Sequence, residues 1–167
     1  MISLEYGINS IESLTFREGV RKRIQMYLGS DDIEGTYQAF KEILNNSTDE
    51  ALAGYGKKIE ITVNEDENSI IVRDYGRGVP FGIREDGENV LVSIYTKIHT
   101  GGKFNKDAYK NSSGLNGVGG SCVCLSSKDF VVKSYRKGFM AVASFKDGLL
   151  TNYEEATTNK KDGTEVF

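Results

Sequence analysis

The chain reads as an α+β domain, with helices packed on one face of a mixed, mostly antiparallel sheet. Three observations predict this. A helical pattern covers residues 35–53, an alternating pair of segments follows at 58–65 and 68–75, and short alternating segments fill residues 129–167. At 167 residues the chain is one domain, long enough to bury a core of its own.

Residues 1–17 have weak periodicity and read as an N-terminal arm, with the folded domain taken as 18–167. The stretch GTYQAFKEILNNSTDEALA reads as a helix closed by Gly54. KIEITVNE and NSIIVRDY alternate across EDEN and read as a β-hairpin. Pro80, the single proline, follows the second strand, where a turn belongs. Residues 88–98 read as another helix. From His99 to Gly120 the chain is rich in Gly, Asn, Ser and Lys, long for a loop without a function. A short helix is expected over 118–126. DFVVKSYR, GFMAVASF and LLTNYEE follow as successive antiparallel strands, with GTEVF as a last one.

Composition excludes several classes. A net charge of −3 and no basic tail argue against nucleic-acid binding by this stretch alone, and Arg21-Lys22-Arg23 is too short to change that. No apolar run reaches the length of a membrane span, and the N-terminus lacks a signal-peptide pattern. Cys122 and Cys124 stand too close to staple a fold and show no metal-ligand spacing, so a reducing, cytoplasmic compartment is expected.

Three clusters carry candidate chemistry. On the 35–53 helix, Tyr37, Phe40, Leu44, Ser47 and Ala51 share a stripe, while Glu42, Asn46 and Asp49 lie opposite within about 60° of one another. That polar face is either solvated or turned to a cleft, where a carboxylate activates water and an amide oxygen holds Mg²⁺. In RDYGRGVP, Gly76 and Gly78 permit a sharp turn or a close ligand, and Asp74 is placed to accept a hydrogen bond; a plain strand-ending turn is the other reading. In the long loop, Lys103 offers a charge, Tyr109 a hydroxyl, and Gly114, Gly117 and Gly119 a run of amides leading to a helix start, which suits an anion; a mobile surface loop is the alternative. The familiar nucleotide motifs fail. No glycine run here is followed by Lys and then Ser or Thr, and Cys122 occupies the last glycine position of a dinucleotide fingerprint.

GVRKRIQMYLGS, EILNNSTDEALAGY, VRDYGRGVP, HTGGKF, SSGLNGVGGS and DGTEVF, in that order and spacing, closely resemble the N-terminal ATPase domain of bacterial type IIA topoisomerase B subunits, DNA gyrase and topoisomerase IV. These belong to the GHKL (Bergerat) ATPases. The resemblance implies ATP and Mg²⁺ as ligands. It implies Glu42 as the general base, Asn46 as the Mg²⁺ ligand, and Asp74 as acceptor for the adenine amino group with Thr164 in support through a shared water. Gly76, Arg77, Gly78 and Pro80 would line the adenine pocket, with Glu50 also in the nucleotide site. Gly102, Lys103 and Tyr109 would belong to a lid, and Gly114, Leu115, Asn116, Gly117, Val118, Gly119 and Gly120 would cradle the phosphates. Tyr6 would reach the partner's nucleotide, and Arg136 falls near a basic residue that aminocoumarins contact in the family.

The implied partners are a second copy of the same subunit, the DNA-cleaving A subunit and DNA through other regions, with the isolated chain a monomer. The implied activity is ATP hydrolysis that closes a dimeric gate for double-strand passage; the alternative is a divergent nucleotide-binding interaction module without useful turnover. A chaperone, mismatch-repair or histidine-kinase ATPase fits less well, given VRKR…MYLGS and HTGGKF. The family's transducer, with a lysine for the γ-phosphate, lies beyond Phe167, so very slow hydrolysis is expected of this stretch alone. The chain departs from the family at Ile24-Gln25, at Asn45, at Asn116 and at Tyr75, where a bulky ring is expected beside the adenine site.

Overall fold

In a computed structural model, the structure describes residues 13–98 and 118–167. Two short helices open it, α1 (Phe16–Lys22) and α2 (Ile24–Leu28). Phe16 and Arg17 therefore lie in a helix rather than in the arm where the periodicity put them. Thr15 caps α1 by accepting from Glu18 N, while Glu18 Oε2 accepts from Thr15 N at 2.8 Å, a reciprocal pair that satisfies two orphan donors. Gly29, at φ +77°, ends α2.

α3 (Ile33–Leu52) begins two residues earlier than its apolar pattern suggests, because Asp32 caps it by accepting from Glu34 N at 2.9 Å. Its 20 residues span about 30 Å. Gly54, at φ +91°, follows its end as expected. The stripe assigned to α3 needs correction. Tyr37 is 59% exposed, and Asp49, placed on the polar face, is 1% exposed. The C-terminal half of α3 packs against the end of β2 (Ser69–Asp74) through Ser47 and against the turn that follows through Glu50, so Asp49 on the same half is buried with them.

β1 (Ile59–Asn64) pairs with β2, and α4 (Val90–Thr96), capped by Asn89, and α5 (Gly119–Ser126) follow. The remaining strands are β3 (Asp129–Arg136), β4 (Phe139–Lys146), β5 (Leu149–Thr157) and β6 (Gly163–Val166). Lys137-Gly138 and Asp147-Gly148 make the two tight turns, each with positive φ at both residues, which matches the twist of an antiparallel pair.

The sheet order is β1-β2-β6-β3-β4-β5, and every pairing among the described residues is antiparallel. The last strand in sequence thus lies at the centre, joining the β1–β2 hairpin to the β3–β5 meander. The helices cover one face. Val20, Leu28, Ile43, Leu91 and Tyr95 pack with Val72, Phe130, Val132, Ala141, Ala143, Phe145 and Val166 around α5. Ser121 to Leu125 of α5 are all buried, so this helix is surrounded rather than amphipathic. Cys122 and Cys124 within it are free thiols, as their spacing implied.

Candidate nucleotide site

Three pieces of chain meet at the C-terminal end of β2, namely the second half of α3, the 74–80 turn and β6, while the start of α5 meets α3 at the other end of the cleft. Asp74 is the focus. Its side chain is 7% exposed, and neutral donors hold it: Gly76 N at 2.9 Å and Thr164 N at 3.1 Å on Oδ1, and Ser47 Oγ at 3.3 Å on Oδ2. Burial pushes its pKa above the ordinary carboxylate value, and the two backbone donors oppose that only in part. Thr164 meets Asp74 directly, through its backbone, while its Oγ1 accepts from Val79 N at 3.2 Å.

The turn after Asp74 has no room for a side chain at either of its glycines. A Cβ at Gly76 would overlap the Glu50 side chain. At Gly78, φ is +72°, and a Cβ would stand 2.5 Å from Tyr135 O. Glycine is required at both positions. Glu50 fixes the turn from the helix: Arg77 donates to it from N at 3.0 Å, from Nε at 2.7 Å and from Nη2 at 3.0 Å. The Arg77 guanidinium lies over Tyr55, 3.7 Å from the ring centroid. From the sheet, Ser134 Oγ donates to Val79 O at 2.6 Å, and Arg136 Nη1 donates to Arg77 O at 3.2 Å and to Gly78 O. Pro80 is exposed at the rim.

At the other end of the cleft, Gly119 abuts Glu42 so closely that a Cβ there would overlap Oε2. Gln38 Nε2 donates to Glu42 Oε1 at 2.8 Å. A Cβ on Gly120 would stand 3.4 Å from Asn46 Nδ2 and from Tyr95 Cε1. The start of α5 therefore faces the pair Glu42 and Asn46, one turn apart on α3. Val118 sits at the N-cap of α5 without a side-chain cap. Cys122, one turn in, is pushed up to about 11 by burial and then by the Glu42 charge, so it stays a thiol near neutral pH.

Glu50, Asp74, Gly76, Arg77, Gly78 and Thr164 thus come together at one end, and Glu42, Asn46, Gly119 and Gly120 at the other, with Pro80 closing the 74–80 turn and Val118 just ahead of α5. Tyr6, Gly102, Lys103, Tyr109, Gly114, Leu115, Asn116 and Gly117 lie outside the described residues. Tyr75 corrects an expectation. Its ring is not beside Asp74; its hydroxyl donates to Glu60 and its face meets Arg73 on the opposite side of the sheet. Successive strand residues point to opposite faces, so the neighbour of an inward aspartate turns outward. Sequence reasoning missed Ser47, which it put in an apolar stripe, and also Ser134. It missed Tyr95 as well, whose buried hydroxyl has its pKa raised by burial and then by the Asp74 charge. A lone serine within an apolar stripe was the available signal for Ser47.

Residues 31–166 match the family described as histidine kinase-, DNA gyrase B- and HSP90-like ATPase. The chain belongs to this ATPase family. Over 99% of its length it is 43% identical to the B subunit of DNA topoisomerase 4 from Enterococcus faecalis, and over 96% it is 42% identical to that of Staphylococcus aureus. It spans 24% of the length of each. Among solved structures, it is similar to the 43K ATPase domain of Thermus thermophilus gyrase B in complex with an aminocoumarin. The TM-score is 0.74 and the identity 37%, over 90% of this chain and 37% of that one. The α+β, GHKL-type architecture of this ATPase domain is thereby established, and the relatives are topoisomerase B subunits. No helix among the described residues is long and apolar enough to cross a membrane.

Proposed function

We propose that this chain is the ATP-binding and ATP-hydrolysing part of a type II DNA topoisomerase B subunit. The observation that carries the proposal is the carboxylate of Asp74, buried, held by neutral donors and left as an acceptor at the end of a glycine-lined turn. Adenine presents an amino donor with ring nitrogens beside it, and Asp74 accepts from the amino group while Thr164 supports the same edge. Gly76, Gly78 and Pro80 bring backbone against the base, and Glu50 with Arg77 holds that wall.

The phosphates lie toward the start of α5, where the amides of Gly119 and Gly120 are free of side chains. Glu42 takes the proton of the attacking water as the new bond forms to the γ-phosphorus and ADP leaves. Asn46 offers a hard amide oxygen beside that position, a donor type that suits Mg²⁺ alongside phosphate oxygens and water. Bound there, Mg²⁺ would neutralise charge on the phosphates. The same reading carries a dimeric gate, DNA passage, an A-subunit partner and an aminocoumarin-sensitive pocket rimmed by Arg136, and the topoisomerase B relatives and the aminocoumarin complex of the gyrase B domain support it.

Calorimetric titration with a non-hydrolysable ATP analogue, with and without Mg²⁺, tests the reading. Stoichiometric, Mg²⁺-enhanced binding that Asp74→Asn removes supports it. Equal binding by the unmutated chain and by Asp74→Asn overturns the assignment of the pocket.

A further inference from the structure

The outward face of the sheet alternates in charge from strand to strand. Register sets Glu60 beside Arg73, Arg73 beside Glu165, and Glu165 beside Lys133. Lys133 Nζ meets Glu165 Oε1 at 2.8 Å. Arg73 is used differently. It is 7% exposed, its Nη2 donates to Lys161 O at 2.7 Å, and its guanidinium is sandwiched between two rings. The guanidinium carbon lies 4.8 Å from the Tyr75 centroid and 4.4 Å from that of Tyr135. The rings are themselves held: Tyr75 donates to Glu60, and the Tyr135 hydroxyl accepts from Lys160 Nζ at 3.3 Å.

A desolvated guanidinium is costly unless its charge is met, and here two π faces, one carbonyl and the neighbouring Glu60 charge meet it. Its Nη1 is buried with no hydrogen-bond partner among the described residues. That nitrogen fills the space outside Gly163, where a Cβ would stand 2.9 Å from it and would overlap Asp74 O. Gly163 has φ +137°.

Arg73 and Asp74 are consecutive and so point to opposite faces, yet both grip one segment. Arg73 holds the Lys161 carbonyl from outside, and Asp74 holds the Thr164 N–H from inside. We propose that Arg73 is a positioning residue for the base pocket: by fixing residues 161–163 from the outer face, it sets where Thr164 meets Asp74 and hence how well adenine is told from other bases. The inference rests on the nucleotide reading above. Tyr75, the departure beside Asp74, belongs to this outer clamp.

The test is made on the 167-residue chain. Arg73→Met keeps an apolar stem and removes the donor and the charge. Amide exchange at Thr164 in the nucleotide-free variant is expected to quicken by about tenfold, while β4 amides exchange as before. The ratio of affinities for non-hydrolysable ATP and GTP analogues is expected to fall by about tenfold. Arg73→Lys, which keeps a donor but not the planar stack, falls between. Unchanged Thr164 exchange, or an unchanged base ratio with weakened overall stability, would overturn the proposal and leave Arg73 a packing residue. If Arg73→Met does not fold, Tyr75→Leu opens one side of the clamp and is held to the same two readouts. If the unmutated chain binds neither analogue, the proposed function fails, and Thr164 exchange alone decides the positioning.

Discussion

The two ends of the cleft are built on different terms. At the base end, Asp74, Thr164, Glu50, Arg77, Ser134 and Arg136 fix one another through backbone and side-chain hydrogen bonds, and the turn they hold contains glycines that nothing larger can replace. At the phosphate end, Glu42 is held by Gln38 and pressed by Gly119, and Asn46 is exposed. Recognition of a rigid base needs fixed acceptors, whose ordering cost is met during folding. Hydrolysis needs groups that can adjust as charge moves from water to phosphate. On the proposed function, the base end is pre-ordered and the phosphate end is left to adjust.

The sharpest way to break the comparison is Asp74→Asn. The amide keeps the shape, and its oxygen still accepts from Gly76 N and Thr164 N, but it no longer offers adenine a charged acceptor. ATP-analogue affinity should fall about a hundredfold, read by calorimetry. Stability should move the other way. The folded-state pKa of Asp74 is raised, so its contribution is most favourable at low pH and is lost as pH rises through the folded value. The variant should therefore melt higher than the unmutated chain at pH 7, with the gap closing as pH falls into the carboxylate range. A variant that melts lower at pH 7 would mean that the buried charge is not a cost.

Glu42→Gln addresses the other end. ATP turnover should drop about a hundredfold or more, with affinity little changed, as measured by phosphate release beside calorimetry. Gly119→Ala should act through Glu42, since the added methyl overlaps its carboxylate. Turnover should fall about tenfold, with about 1–3 kcal/mol lost in denaturant melts. Ser47→Ala removes one donor from Asp74 and should weaken binding by about 1 kcal/mol, roughly fivefold. The smallest effect is expected from Gly120→Ala, because a Cβ there reaches only ordinary contact at 3.4 Å. A large loss at Gly120 with none at Gly119 would reverse the picture of how α5 meets α3.

What the sequence disclosed was what is local. The hairpin strands, the end of α3 at Gly54 and the α5 span follow from alternation, glycine placement and short-range periodicity. The start of α3 was missed because Asp32 caps it ahead of the apolar pattern. α1 and α2 carry too little periodicity to be read, although Thr15 and Glu18 had capping-box spacing. In the site, Asp74 and Glu42 were legible from residue type and context. The burial of Asp49 and the donation from Ser47 depend on what lies across α3, which no wheel drawn on one helix contains. Tyr75 is different: strand alternation alone would have turned it away from Asp74.

β6 lies between β2 and β3, although it follows every other strand of the sheet in sequence. Made from its N-terminus onward, the polypeptide has the β1–β2 hairpin and the β3–β5 meander available long before anything can join them. Thr164, which completes the grip on Asp74, arrives with the joining strand. Closing the sheet and completing the base pocket are thus one late event of high sequence separation. A nascent or clipped chain lacking residues 163–166 has two further unpaired edges, at β2 and β3, and no finished pocket, so the proposed nucleotide binding would report that synthesis has passed this point.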